Sequence, residues 1–426
     1  MQDFLKAFDK VIGYEDEKRK LMPICDMMRN PDKYKKLGVV MPSGALLQGE
    51  PGYGKTLLAK CFIEACGASC FVCRKDKADG DFIDYMRKCF DDAVASAPAI
   101  VFLDDMDKFA NEDKDHKNAE EYVAIQACID NVKGKDVFVI ATTNDLNNLP
   151  DSLLRAGRFD INLIIRGLEA EDQIKLISHF LSNKAFVETI SPEEIWQILG
   201  GGISCAELEK IINDAAMKVA FEGRDTVTRD DIVLACLNQH FGGTESSKQK
   251  SEERRLAIAY HEAGHVVVGE ILIPNSISLA SIKSYRASGA GVTCHFDAGE
   301  LENSYEQRKN RVAGMLAGKA ATEVVFGTID LGTKSDLQHA REMLEDMRDD
   351  NAVFGFEYQT DWLTSDITRK AAEQIVSAEL SKLYEIARNV LMANRPFLDA
   401  IANALLKKET IFAADIVAIK KGLGIQ

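Results

Sequence analysis

Short, wholly apolar runs alternate with longer stretches of helical periodicity in the first part of the chain. Gly44-Ala-Leu-Leu-Gln-Gly49 leads into a glycine-rich loop, and Thr56-Leu-Leu-Ala-Lys-Cys-Phe-Ile63 reads as the helix after it. Further runs at Ile100-Val-Phe-Leu103 and Val137-Phe-Val-Ile-Ala141 are separated by helical segments. Uninterrupted apolar strands alternating with helices are the pattern of a parallel sheet covered on both faces. An α/β domain is predicted over residues 1–165.

From about Glu169 to His240 the spacing becomes purely helical, with Ile174, Leu176 and Ile177, then Leu208, Ile211, Ile212, Ala215 and Ala216 three or four residues apart. This predicts a small helical subdomain over 166–241. Gly242-Gly-Thr-Glu-Ser-Ser-Lys-Gln-Lys-Ser251 is small, polar and glycine-led, the composition of a linker. Residues 252–426 are expected to form a second, mainly helical domain, broken by a β-like stretch from Ile282 to Phe296 and by glycines at 327 and 332. There is no internal repeat at solenoid or propeller periods.

Composition narrows the partners. A chain of 426 residues with 46% hydrophobic and 28% charged residues is a soluble globular protein of two or three domains. Its net charge of −15 argues against nonspecific binding to nucleic acid or anionic lipid. No run reaches the roughly 18 to 20 apolar residues that span a bilayer, and Met1-Gln-Asp-Phe4 lacks a signal-peptide pattern. The expectation is a cytoplasmic chain, or the cytoplasmic portion of a membrane-anchored protein, with a membrane adaptor as a compatible partner. Cys70-Phe-Val-Cys73 is a lone CxxC that supplies half of a tetrahedral metal site, so reduced thiols are expected.

Two motifs carry chemistry. In Gly49-Glu-Pro-Gly52-Tyr53-Gly54-Lys55-Thr56 the glycines let backbone N–H groups around Tyr53 point at phosphates. Lys55 can then reach the outer phosphates and the Thr56 hydroxyl can bind Mg2+. Strand, loop and helix follow in the order a P-loop requires, which predicts ATP as cofactor. Ile100-Val-Phe-Leu-Asp104-Asp105 ends a buried-type strand in two carboxylates, Asp104 suited to magnesium and Asp105 to the attacking water. Asn144 closes a later strand, and Arg155 and Arg158 can reach phosphate charge.

In His261-Glu262-Ala-Gly-His265, the two histidines lie one helical turn apart, so both imidazoles can face one Zn2+ while Glu262 acts on its water. A third ligand is needed, and spacing leaves Glu323, Asp330, Asp336 and His339 open.

The order of the first set resembles the AAA+ ATPases: Walker A, Walker B, a sensor asparagine at Asn144, and arginine fingers at Arg155 and Arg158 acting on a neighbouring subunit. That resemblance implies a homohexameric ring, and Gly201-Gly-Ile-Ser-Cys-Ala206 is similar to the lid motif of that class. The whole chain resembles the FtsH-type ATP-dependent zinc metalloproteases, from Phe8-Asp-Lys-Val-Ile-Gly13 and Leu37-Gly38 to Glu409-Thr-Ile411. The resemblance implies Asp336 as the third zinc ligand, with Glu323 the runner-up. It also implies unfolded or damaged protein as substrate, unfolded and degraded in a ring chamber.

The chain departs from that family in three places. The family usually carries membrane-spanning segments ahead of the ATPase, whereas here the ATPase start follows Met1 almost at once, which is expected either of a soluble relative or of a chain trimmed before Met1. Asp105 stands where the family has glutamate, one methylene longer, which predicts slow ATP hydrolysis. Before Tyr85 the family places an aromatic pore loop, whereas this chain reads Lys77-Ala-Asp-Gly-Asp-Phe82, so the aromatic is lost or displaced to Phe82. These departures keep a rival in view, a nucleotide-driven remodelling or regulatory scaffold with weak or partner-specific proteolysis. An ATP-independent peptidase is the third reading, separable by whether ATP supports cleavage.

Overall fold

In a computed structural model of the chain, residues 3–75, 79–110, 119–145, 149–150, 152–155, 157–182, 184, 190–199, 203–240, 251–285, 289–295, 304–328, 334–355 and 366–425 are described. They pack as two compact units, Met1–Asn183 with Ile203–Lys210, and Lys184–Gly202 with Ile211–Gln426. The segment expected as a lid is therefore shared between the units. The linker expected at 242–251 lies outside the described residues except for Ser251.

In the first unit, α1 (Glu15–Arg29) and α2 (Pro31–Lys35) precede β1 (Gly44–Gln48) and α3 (Lys55–Cys66). Then follow β2 (Ser69–Cys73), α4 (Asp79–Ala95), β3 (Ala99–Leu103), α5 (Ala119–Val132), β4 (Val137–Thr143), β5 (Ile161–Ile164) and α6 (Ala170–Ser182). The five strands form one parallel sheet in the order β2-β3-β4-β1-β5. β3 and β4 are buried along their whole length, since both faces are covered. One face packs Leu58 and Phe62 of α3 with Leu21 and Cys25 of α1. The other packs Met86 and Phe90 of α4 with Ile125 and Ile129 of α5.

This placement corrects one expectation. Phe82 is fully buried on α4, its ring 5.0 Å from that of Phe109, so it belongs to the core and is not a displaced substrate-gripping aromatic. Residues 73–81 contain no aromatic side chain. Cys70 and Cys73 lie on β2, and all ten cysteines are free thiols.

The remaining elements are α7 (Pro192–Leu199), α8 (Cys205–Phe221), α9 (Arg229–His240), α10 (Glu252–Leu272), β6 (Ile277–Tyr285), β7 (Gly289–His295), α11 (Tyr305–Phe326), α12 (Lys334–Asp349), α13 (Asp366–Ala393), α14 (Arg395–Lys408), β8 (Thr410–Phe412) and α15 (Ala413–Leu423). α10 is held at its start by Ser251, whose hydroxyl accepts from the Arg254 N–H. It runs through the second unit's core, with Ile258, Ala259, Ala263, Val266 and Val267 all buried. α10 and α11 approach closely because small residues face each other: a Cβ on Gly264 would lie 2.5 Å from the Ala317 carbonyl oxygen. An antiparallel sheet of order β7-β6-β8 lies beside α10. Among the described residues no helix is long and apolar enough to cross a membrane.

Candidate nucleotide and metal sites

The turn from β1 into α3 forms the first site. Gly49, Gly52 and Gly54 have φ of 151°, 86° and 87°, a region that side chains other than glycine's rarely tolerate. A Cβ on Gly49 would also sit 2.0 Å from the Ile165 carbonyl oxygen. Gly49 and Gly52 are therefore restricted to glycine by both conformation and space, and Gly54 by conformation. Lys55 folds its ammonium back over the loop, donating to the Gly49 and Glu50 carbonyls at 2.6 and 2.7 Å. Burial lowers its pKa from the usual value, so an anion in the loop offers that charge a better partner than two carbonyls.

Around the loop, the Thr56 hydroxyl donates to Asp104 Oδ1 at 3.1 Å and the Thr142 hydroxyl donates to the same oxygen at 3.0 Å. Thr142 also accepts from the Asp105 N–H at 2.9 Å, which ties the ends of β3 and β4 together. Asp105 sits in the left-handed region, φ 55°, and its Oδ2 pairs with Lys108 at 2.6 Å. The backbone N–H of Asn144 faces Asp107 Oδ1 at 3.4 Å.

A cavity of about 670 Å³ opens here, lined by Gly52, Tyr53, Gly54, Lys55, Thr56, Asp105 and Asn144 on the polar side. Val11, Ile12, Leu176, His179, Phe180 and Cys205 are also among its lining residues. The start of α8 is clasped to the loop, with the Ala206 N–H donating to the Gly52 carbonyl at 3.1 Å and Ser204 packed against Gly52. This is the segment expected to close over the nucleotide; Gly201 and Gly202 lie outside the described residues.

The two arginines separate. Arg158 is engaged within its own unit, its guanidinium on both carboxylate oxygens of Asp130 at 3.2 and 2.7 Å and on the Ser152 carbonyl. The hydrogen bond to Arg158 holds Asp130 low, at about 2. Arg155 is exposed.

The second site lies on α10. His261 Nε2 and His265 Nε2 are 3.2 Å apart, and Asp336 Oδ2, from the first turn of α12, is 3.2 and 3.7 Å from them. These three groups are the cluster of potential metal ligands among the described residues. His265 Nδ1 faces the Gly314 carbonyl at 2.8 Å. Donating there, it leaves Nε2 with its lone pair directed at the cluster. Burial opposes protonation of His265, but Asp336 outweighs it and raises the pKa to about 9. Burial alone would raise Asp336, yet the hydrogen bonds to His261 and His265 hold it well below the usual carboxylate range. Two ring nitrogens and a carboxylate oxygen within 4.8 Å of one another are a donor set that fits a borderline metal such as Zn2+, whose binding would displace the His265 proton.

Other expected ligands stand elsewhere. Glu323 is bonded to the Tyr384 hydroxyl, His339 is exposed on α12, and Asp330 lies outside the described residues. Glu262 is 3% exposed, and burial raises its pKa from the ordinary glutamate value. The hydroxyl of Thr293 donates to its Oε2 at 2.8 Å. Sequence patterns did not single out Thr142, Thr293, Gly314 or Gly318, because none belongs to a spaced chemical motif.

A nucleotide cradle at the carboxyl end of an inner parallel strand and an HExxH metal centre on a helix define a protein of two catalytic modules, ATPase and metallopeptidase. Comparison with known proteins bears this out. Residues 45–166 match the AAA family, the ATPase family associated with various cellular activities, and residues 248–356 match peptidase family M41. The chain is 30% identical to the ATP-dependent zinc metalloprotease FtsH 3 of Petrotoga mobilis, over 96% of this chain and 68% of that protein. It is similarly 30% identical to FtsH of Thermotoga maritima, over 95% and 71%, and 27% identical to FtsH of Streptococcus pneumoniae, over 98% and 68%. The chain belongs to the FtsH family of ATP-dependent zinc metalloproteases.

Proposed function

We propose that this chain is an ATP-driven zinc endopeptidase that unfolds protein substrates and cleaves them in a chamber formed by a homohexameric ring. The observation that carries this is the convergence of His261, His265 and Asp336 beside buried Glu262, in a chain whose P-loop pairs Thr56 with Asp104.

A zinc ion held by His261, His265 and Asp336 would supply Lewis acidity toward a water and a peptide carbonyl. Glu262 takes a proton from the attacking water as its oxygen bonds to the carbonyl carbon, and returns that proton to the departing amine nitrogen as the C–N bond breaks. At the nucleotide, Lys55 and the loop N–H groups bind phosphate, Thr56 and Asp104 hold Mg2+, Asp105 orients water and Asn144 senses the γ-phosphate. Val11, Ile12 and Leu176 offer the adenine an apolar surface. Arg155 is assigned the role toward a neighbouring subunit's nucleotide, and Arg158, through Asp130, shapes the loop that presents it.

Asp105 also predicts slow turnover. Its carboxylate is one methylene short of the family's glutamate, and a misplacement of about 1 Å can cost on the order of a hundredfold. Asp105→Glu is expected to raise the steady-state ATPase rate several-fold or more; an unchanged rate would show that carboxylate reach is not limiting.

The buried position of Phe82, with no aromatic at 73–81, favours a second reading: nucleotide-driven remodelling with partner-specific proteolysis. The deciding experiment follows degradation of an unstructured reporter and of a folded one, with zinc, in the presence and absence of ATP. ATP-dependent loss of both supports the coupled protease. ATP hydrolysis with neither substrate cleaved selects the remodelling scaffold.

A further inference from the structure

We propose that Thr293 is a positioning residue that sets the catalytic orientation of Glu262, so that strand β7 acts as part of the peptidase machinery; this rests on Glu262 being the base proposed above. Among the described residues β7 pairs with β6 alone, and it lies against α10. Gly291, Thr293 and His295 alternate toward that helix. A Cβ on Gly291 would meet Glu262 Oε1 at 2.4 Å and Ile258 at 2.8 Å, and a Cβ on Gly269 would meet the His295 ring at 3.5 Å. The Thr293 hydroxyl donates to Oε2 at 2.8 Å and lies 3.4 Å from the Glu262 backbone carbonyl.

Both carboxylate oxygens of Glu262 therefore meet the same strand. Oε1 is given room by the bare Cα of Gly291, whose φ of +92° itself favours glycine. Oε2 is held by a side-chain donor. A buried carboxylate left without that donor would rotate toward the nearest alternative, the charged metal cluster, and a base turned onto the metal is removed from its water. Thr293 fixes the rotamer that keeps Glu262 beside the metal ligands without joining them. Threonine suits the task because its β-branched side chain has few χ1 states and fits a strand.

Valine at 293 keeps the shape and strand preference and removes only the hydroxyl; serine keeps the hydroxyl. With purified zinc-loaded full chain and an internally quenched peptide, Thr293→Val is expected to lower kcat by roughly 10- to 100-fold. KM, zinc stoichiometry and ATPase rate should stay at wild-type values, and Thr293→Ser should recover most of kcat. Wild-type kcat in Thr293→Val, with Glu262→Gln inactive alongside, overturns the proposal alone. Loss of zinc, or equal losses in the valine and serine variants, overturns it in favour of a purely structural contact. Cleavage surviving in Glu262→Gln removes the base assignment and the proposal with it.

Discussion

Glu262→Gln is expected to slow peptide-bond cleavage by roughly two to four orders of magnitude, the range that one positioned general base contributes. The substitution is nearly isosteric, and the Gln oxygen can still accept from Thr293, so fold and metal site are preserved. What disappears is the ability to take a proton from water and return it to the leaving amine. Because the side chain is 3% exposed, bulk water is poorly placed to substitute for it. Zinc content by atomic absorption and ATP turnover should match wild type, while cleavage of an unstructured reporter falls. Cleavage within a few-fold of wild type would mean that the proton passes through another group.

The second large effect is expected from a residue that no motif marks. A methyl group at Gly318, on α11, would lie 2.5 Å from both His261 Cε1 and His265 Nε2, and 2.6 Å from His261 Nε2. Neither ring can yield freely. His265 is anchored to the Gly314 carbonyl, and both imidazoles must aim at the same point as Asp336. Backing α11 away would pull apart the close α10–α11 packing in which Ala317 and Ala321 sit against Gly264. Gly318→Ala should therefore turn the imidazoles out of register and weaken zinc binding by roughly 10- to 100-fold, the effect seen when the support of a metal ligand is disturbed. Peptidase activity would fall in proportion at limiting zinc and recover in part at high zinc. Competition against a chromogenic zinc chelator measures this directly; wild-type affinity would show that the helices separate at little cost.

Strands buried on both faces were legible as uninterrupted apolar runs, and β1, β3 and β4 lie where Gly44–Gly49, Ile100–Leu103 and Val137–Ala141 predicted them. The edge strands β2 and β5 were not anticipated, because half-exposed positions break the apolar run into a pattern no stronger than a loop's. β8 spans three residues and is defined only by its partner β6. Phe82 shows the converse error: an aromatic close to an expected functional loop is a core residue, because helix α4 directs it against Phe109.

For the sites, the sequence by itself determined whatever depends on neighbours along the chain. Glycine spacing dictates the loop that exposes successive N–H groups, and the four-residue step from His261 to His265 sets two imidazoles on one helix face. Local backbone geometry suffices for both. Only the tertiary structure decided which distant groups complete them. Asp336 reaches the metal site across 75 residues, Thr142 ties Asp104 to Asp105, Asp130 claims Arg158, and β7 lays Thr293 on Glu262. Those pairings arise from how helices and strands pack, so no one-dimensional spacing encodes them.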